Sequence, residues 1–114
     1  MENDLKIRTK VFSIDIIKFC KTLKKDNISQ ILGKQLLRSG TSVGANTRSA
    51  FRGRSNREFI AKIGIVIEEA DECIYWLELI QDTVFHESNS IQKLIAEASE
   101  LVAIFVSINK KHKK

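Results

Sequence analysis

Four acidic side chains crowd one stretch of the sequence, Glu68, Glu69, Asp71 and Glu72, and Glu78 follows them. Carboxylates so grouped are what a di-metal site in a helix bundle draws on, but such sites also take Glu-x-x-His pairs from two helices. The chain contains no Glu-x-x-His. The run therefore reads as a solvated or subunit-bridging acidic face, and no metal or other cofactor is expected. His86 falls in a loop and His112 in a C-terminal tail, neither near a serine or cysteine that reads as an activated nucleophile. Cys20 and Cys73 form no C-x-x-C, which argues against a disulfide framework or thiolate zinc site and for two buried free thiols. No strand precedes a glycine-rich loop that could cradle phosphate. The expectation is a protein without catalytic residues.

The basic residues are better organised. At about 100° per residue, Lys34, Arg38, Arg48 and Arg52 fall within roughly 80° of one helix face, opposite Leu36, Val43 and Ala50. The row spans about 27 Å at ~1.5 Å per residue, and Arg54 and Arg57 extend it beyond the helix. Guanidinium forks suit phosphate oxygens, and no aromatic residue is interleaved to stack on bases. Such a row reads backbone charge and shape in RNA or DNA, with little sequence preference. The competing reading is an ordinary solvated face, or one that pairs with the acidic face of a neighbouring copy. The distribution of charge leaves both open: residues 1–57 carry thirteen Lys/Arg against four Asp/Glu, residues 58–109 two against ten, and the last five add four lysines.

The elements that must position these residues follow from composition and spacing. A chain of 114 residues, 43% apolar, with no proline and five glycines, suits one all-α domain over residues 1–114. Leu5, Thr9, Phe12, Ile16, Phe19 and Leu23 alternate in steps of four and three, predicting a helix over 5–24. A second, over 28–51, carries Leu32, Leu36, Ser39, Val43, Asn46 and Ala50, with Asn27 as its cap and Gln30 reaching back. Ser55-Asn56-Arg57-Glu58 is a capping box opening a third helix, over 56–82, through Ile60, Ile63, Ile67, Ala70, Ile74 and Leu77. A polar turn at 85–90, with Ser88 or Ser90 as cap, leads to a fourth over 90–109 (Ile91, Leu94, Ala98, Leu101, Phe105, Ile108) and a basic tail, 110–114. Short loops make this an antiparallel up-down-up-down four-helix bundle.

Apolar residues outside these seams predict partners. Ile7, Val11 and Ile14 lie nearly opposite the seam of the first helix, and Ile65 and Trp76 project away from that of the third. Two such patches predict a homo-oligomer interface. On the second helix Gly33, Gly40, Gly44 and Thr47 share a flank. Each mid-helix glycine costs about 1 kcal/mol relative to alanine, so another helix, from the same or a neighbouring subunit, is expected to approach closely there. The longest apolar runs are far below the roughly 20 residues of a membrane span, and the acidic N-terminus does not resemble a secretory signal. A cytoplasmic protein with no membrane partner is expected.

Residues 35–80 carry the most distinctive pattern: Gln35-Leu36-Leu37-Arg38-Ser39-Gly40-Thr41-Ser42-Val43-Gly44-Ala45-Asn46, then Arg48, Ala50, Arg52, Arg54 and Ser55, then Glu58-Phe59-Ile60-Ala61-Lys62, and Glu68-Glu69-Ala70-Asp71-Glu72 leading to Tyr75-Trp76-Leu77-Glu78-Leu79. It resembles the bacterial four-helix-bundle family of intervening-sequence proteins, encoded inside 23S ribosomal RNA genes or standing alone. The resemblance covers nearly the whole chain and is most specific at Arg38–Asn46. It implies a homopentamer, related to accessory proteins of diversity-generating retroelements, which are basic pentamers that bind a reverse transcriptase and nucleic acid. It carries over no catalytic residue. Arg48, Arg52 and Arg54 match the arginine-rich branch of the family, whereas Thr47 stands where isoleucine or tyrosine is common. Two functions follow as expectations: a non-enzymatic oligomer that binds RNA or DNA, or a scaffold or accessory subunit of a reverse transcriptase whose arginines meet acidic protein surfaces.

Overall fold

The structure, a computed structural model, describes residues 1–84 and 89–113. Four helices account for nearly all of them: α1 (Glu2–Lys21), α2 (Asn27–Phe51), α3 (Asn56–Thr83) and α4 (Asn89–His112). Each packs on the next, and α1 meets α4 only lightly, closing an up-down-up-down bundle of 46 × 20 × 19 Å. The long dimension is that of its longest helix, 28 residues at ~1.5 Å each.

The expected seams of α1 and α4 form the core: Leu5, Thr9, Phe12, Ile16 and Phe19 face Ile91, Leu94, Ala98, Leu101, Phe105 and Ile108, all buried. In α3 the seam is shifted. Ile63, Ala70 and Leu77 are buried as expected, but their companions are Val66, Cys73 and Ile80, while Ile60, Ile67 and Ile74 sit half-buried on the flank. Both sides of α3 are apolar, and its contacts with α2 and α4, not its own periodicity, select the deeper one.

The helix ends differ from expectation for local reasons. α1 begins at Glu2, with Glu2 and Asp4 in its first turn where carboxylates complement the helix dipole. It stops at Lys21, because the Thr22 N–H and hydroxyl both donate to the Phe19 carbonyl, and Leu23 is buried just beyond. The cap of α2 is Asp26, not Asn27: its carboxylate accepts from the Ser29 N–H and hydroxyl at 2.9 Å. Gln30 turns away to the Lys24 carbonyl. Ser55 caps α3 as expected, accepting from the Glu58 N–H at 3.1 Å. Residues 110–112, expected as tail, continue α4, because the Asn56 amide donates to the His112 carbonyl at 2.8 Å and the His112 ring packs on Phe59. Ser90 lies inside α4, while Phe85, His86 and Ser88 lie outside the described residues.

The glycine flank of α2 meets α1 of the same chain. A Cβ on Gly40 would come within 2.6 Å of Ile16, and one on Gly44 within 2.8 Å of the Ser13 hydroxyl. That hydroxyl donates to the Gly40 carbonyl at 2.7 Å. Ser39 and Thr47 are buried and hydrogen-bonded, and the Asn46 amide donates to Ser42 on its own helix. Cys73 is buried; Cys20, expected to be buried, is half-exposed, its thiol donating to the Gly33 carbonyl.

Candidate nucleic-acid interface

Close packing of α2 on α1 and α3 turns the remaining face of α2 outward, and the basic row lies there. Lys34, Arg38, Arg48 and Arg52 are exposed, and Arg54 and Arg57 continue the exposed cations across the turn into α3. Among the described residues, Lys34, Arg48, Arg52, Arg54 and Arg57 make no ion pair.

Arg38 is different. Its guanidinium spans to α3, 3.0 Å from Glu69 Oε2 and 2.8 Å from Glu72 Oε1, and also donates to the Ser39 hydroxyl. Its hydrogen bond to the Glu69 carboxylate leads the effects that raise its pKa. For Arg38, the carboxylate pairing that the competing reading placed between copies is made within one chain. Arg38 braces α2 against α3, and Glu69, the more sheltered carboxylate, keeps one oxygen with no hydrogen-bond partner among the described residues.

The expected row runs along α2 and on through Arg54 and Arg57, and α1 supplies further cations beside it. Two clefts lie along the α1–α2 groove. One, of about 410 Å³, brings Lys6 and Lys10 of α1 together with Arg48 of α2 beside Ser13 and Thr41. The other, of about 390 Å³, brings Lys21 and Lys25 together with Lys34 beside Gln30. Among the described residues no carboxylate lines either cleft, although Glu2 reaches Lys6 at 2.9 Å. The α1 lysines contribute to the basic first half of the sequence, but no sequence spacing fixes the register between two helices.

The expected interface residues divide. Ile7, Val11, Ile14 and Ile65 are exposed, Ile7 at 64%, and Ile17 extends the α1 patch. Trp76 instead lies half-buried against the core, edge-on to Tyr75. Its indole N–H has no partner among the described residues. On α3 the outward residues Glu68, Asp71, Glu72 and Glu78 are exposed and acidic. At the lightly packed α1–α4 side, Arg8 makes a bidentate pair with Glu97, both bonds 2.7 Å, and reaches Glu100 at 3.1 Å. These bonds hold its pKa further above the usual range. Among the described residues no cluster of His, Cys, Asp and Glu suits a metal ion, and no helix is long and apolar enough to cross a membrane.

Comparison with known proteins places this geometry in a family. No curated protein matches the chain. A solved structure does, at 34% identity and a TM-score of 0.87 over 96% of this chain and 97% of that one: a protein of unknown function from the S23 ribosomal protein family of Bacteroides thetaiotaomicron. The family model of the 23S rRNA-intervening sequence proteins matches residues 2–107. With the four helices arranged as that resemblance implied, the chain belongs to the 23S rRNA-intervening sequence protein family.

Proposed function

We propose that this chain is a non-enzymatic, cytoplasmic homo-oligomer whose basic face binds RNA or DNA through the sugar–phosphate backbone, with little sequence preference. The observation that carries the reading is the set of exposed cations on α2 and the turn after it, Lys34, Arg48, Arg52, Arg54 and Arg57, none of them paired among the described residues. Cations left unneutralised along one face act additively on a polyanion and release its counterions on binding. Self-association is supported by the exposed apolar patch Ile7, Val11, Ile14 and Ile17, and by the opposed signs of the α2 and α3 outer faces. The family resemblance implies five copies, which would multiply weak phosphate contacts by avidity.

Titrating generic RNA and DNA with the unmodified protein over a range of salt tests the reading. Binding to both at low salt, with an affinity that falls steeply as salt rises, is the expected result. Binding that is absent at low salt refutes it, and co-purification of a single protein partner in its place favours the accessory-subunit alternative.

A further inference from the structure

The cations of the α1–α2 groove are not evenly spread. Arg38 is the one cation of α2 between Lys34 and Arg48, and it is drawn to the other flank by Glu69 and Glu72. Lys18 is the one cation of α1 between Lys10 and Lys21, and it lines a different cleft, between α1 and α4, with Asp15 and Lys93. What remains among the described residues is two cationic clefts, each built from both helices and each edged by one residue of the apolar α1 patch, Ile7 or Ile17, which leaves the Val11 side of that patch to meet a second copy. Lys34 and Arg48 stand fourteen residues apart on one helix, about 21 Å at ~1.5 Å per residue. That span is comparable with a B-form major groove of about 12 Å together with the backbones that border it. Among the described residues no aromatic side chain lines either cleft, and aromatic stacking is the usual means of holding the free bases of a single strand.

We propose that double-stranded nucleic acid lies against the α1–α2 groove, with phosphates of its two strands seated in the two clefts, at Lys10 and Arg48 on one side and at Lys21, Lys25 and Lys34 on the other. The proposal rests on the nucleic-acid reading above and makes it specific: the ligand is a duplex, and α1 carries part of the site.

The test measures binding of a 20-base-pair DNA duplex by fluorescence anisotropy, using the full chain and two variants with equal charge change. In Lys10→Glu/Lys21→Glu the groove is altered; in Lys18→Glu/Lys93→Glu the α1–α4 cleft is. The groove variant should lose about tenfold or more in affinity, and its log–log salt slope should flatten by about 1.8, or 0.9 for each phosphate contact removed. The control should change less than about half as much in slope. Equal losses in the two variants, or tighter binding of a single strand of the same length, overturn the proposal while leaving nucleic-acid binding itself intact. No binding by the unmodified protein removes both. Should the groove variant fail to fold by circular dichroism, amine labelling of the unmodified protein decides. Duplex should protect Lys10 and Lys21 but not Lys62 or Lys93, and uniform protection counts against the groove.

Discussion

Asp26 secures the start of α2 by accepting two hydrogen bonds from Ser29, and the backbone bond leads in holding its carboxyl below the usual range. A carboxylate whose pKa is lowered by folding stabilises the fold above its unfolded value of about 3.9, and the effect is lost as pH falls through the folded value. Asp26→Ala should therefore lower the thermal midpoint at pH 7, and the gap from the unmodified protein should close as the pH falls below about 4. A gap independent of pH would show that the charge plays no part. The thiols behave oppositely: burial pushes Cys20 up to about 11 and Cys73 to about 12. Because the thiolate is the reactive form, both should react with a thiol reagent at pH 8 far more slowly in the native protein than after denaturation, Cys73 slowest. Some of this was legible beforehand. A polar residue ahead of an apolar run announces a cap, but whether Asp26 or Asn27 serves depends on one residue of backbone geometry. Arg38 looked like a phosphate ligand because its place on α2 was readable, whereas the Glu69 and Glu72 that claim it belong to another helix.

Helix faces set the next level. Gly40 and Gly64 both interrupt helices, and on propensity alone alanine would add about 1 kcal/mol of stability at either. Their surroundings separate them. A Cβ on Gly40 meets the buried, β-branched Ile16 at 2.6 Å, and overpacking of this kind costs roughly 1–3 kcal/mol. Nothing lies within 4 Å at Gly64. Gly64→Ala should raise the chemical-denaturation midpoint by about 1 kcal/mol of stability, and Gly40→Ala should lower it. Equal effects of the same sign would mean that α1 does not press on α2 at Gly40. The close approach was legible, since three glycines on one flank require a neighbour; that the neighbour is α1 of the same chain was not. The four-and-three spacing revealed the seams of α1 and α4 almost residue for residue, and the second apolar stripe of α1 lies nearly opposite its seam and does not compete for the core. It misjudged α3, where Val66 and Cys73 compete with Ile67 and Ile74 and the packing of α2 and α4 decides.

At the scale of the whole molecule, the bundle joins a basic α1–α2 side to an acidic outer face of α3, and exposes an apolar ridge on α1. A ridge flanked by charge, set against a complementary face elsewhere on the same molecule, favours head-to-tail contact between copies. Val11→Asp should bring the mass measured by light scattering down toward the 13.0 kDa of one chain while leaving helical content unchanged. A monomeric unmodified protein at micromolar concentration would contradict self-association. The overall charge division was plain in the sequence, but the assignment of cations to faces awaited the register of α1 against α2, which long-range packing alone determines. The central claim is that the unpaired cations of α2 meet phosphate and not the carboxylates of a neighbouring copy. Sedimentation velocity of Arg48→Glu/Arg52→Glu mixed with fluorescently labelled RNA reads assembly mass and RNA binding together. The account predicts an intact oligomer that no longer carries RNA at a salt concentration where the unmodified protein does. An assembly that falls apart, or an intact one that binds RNA undiminished, would contradict it.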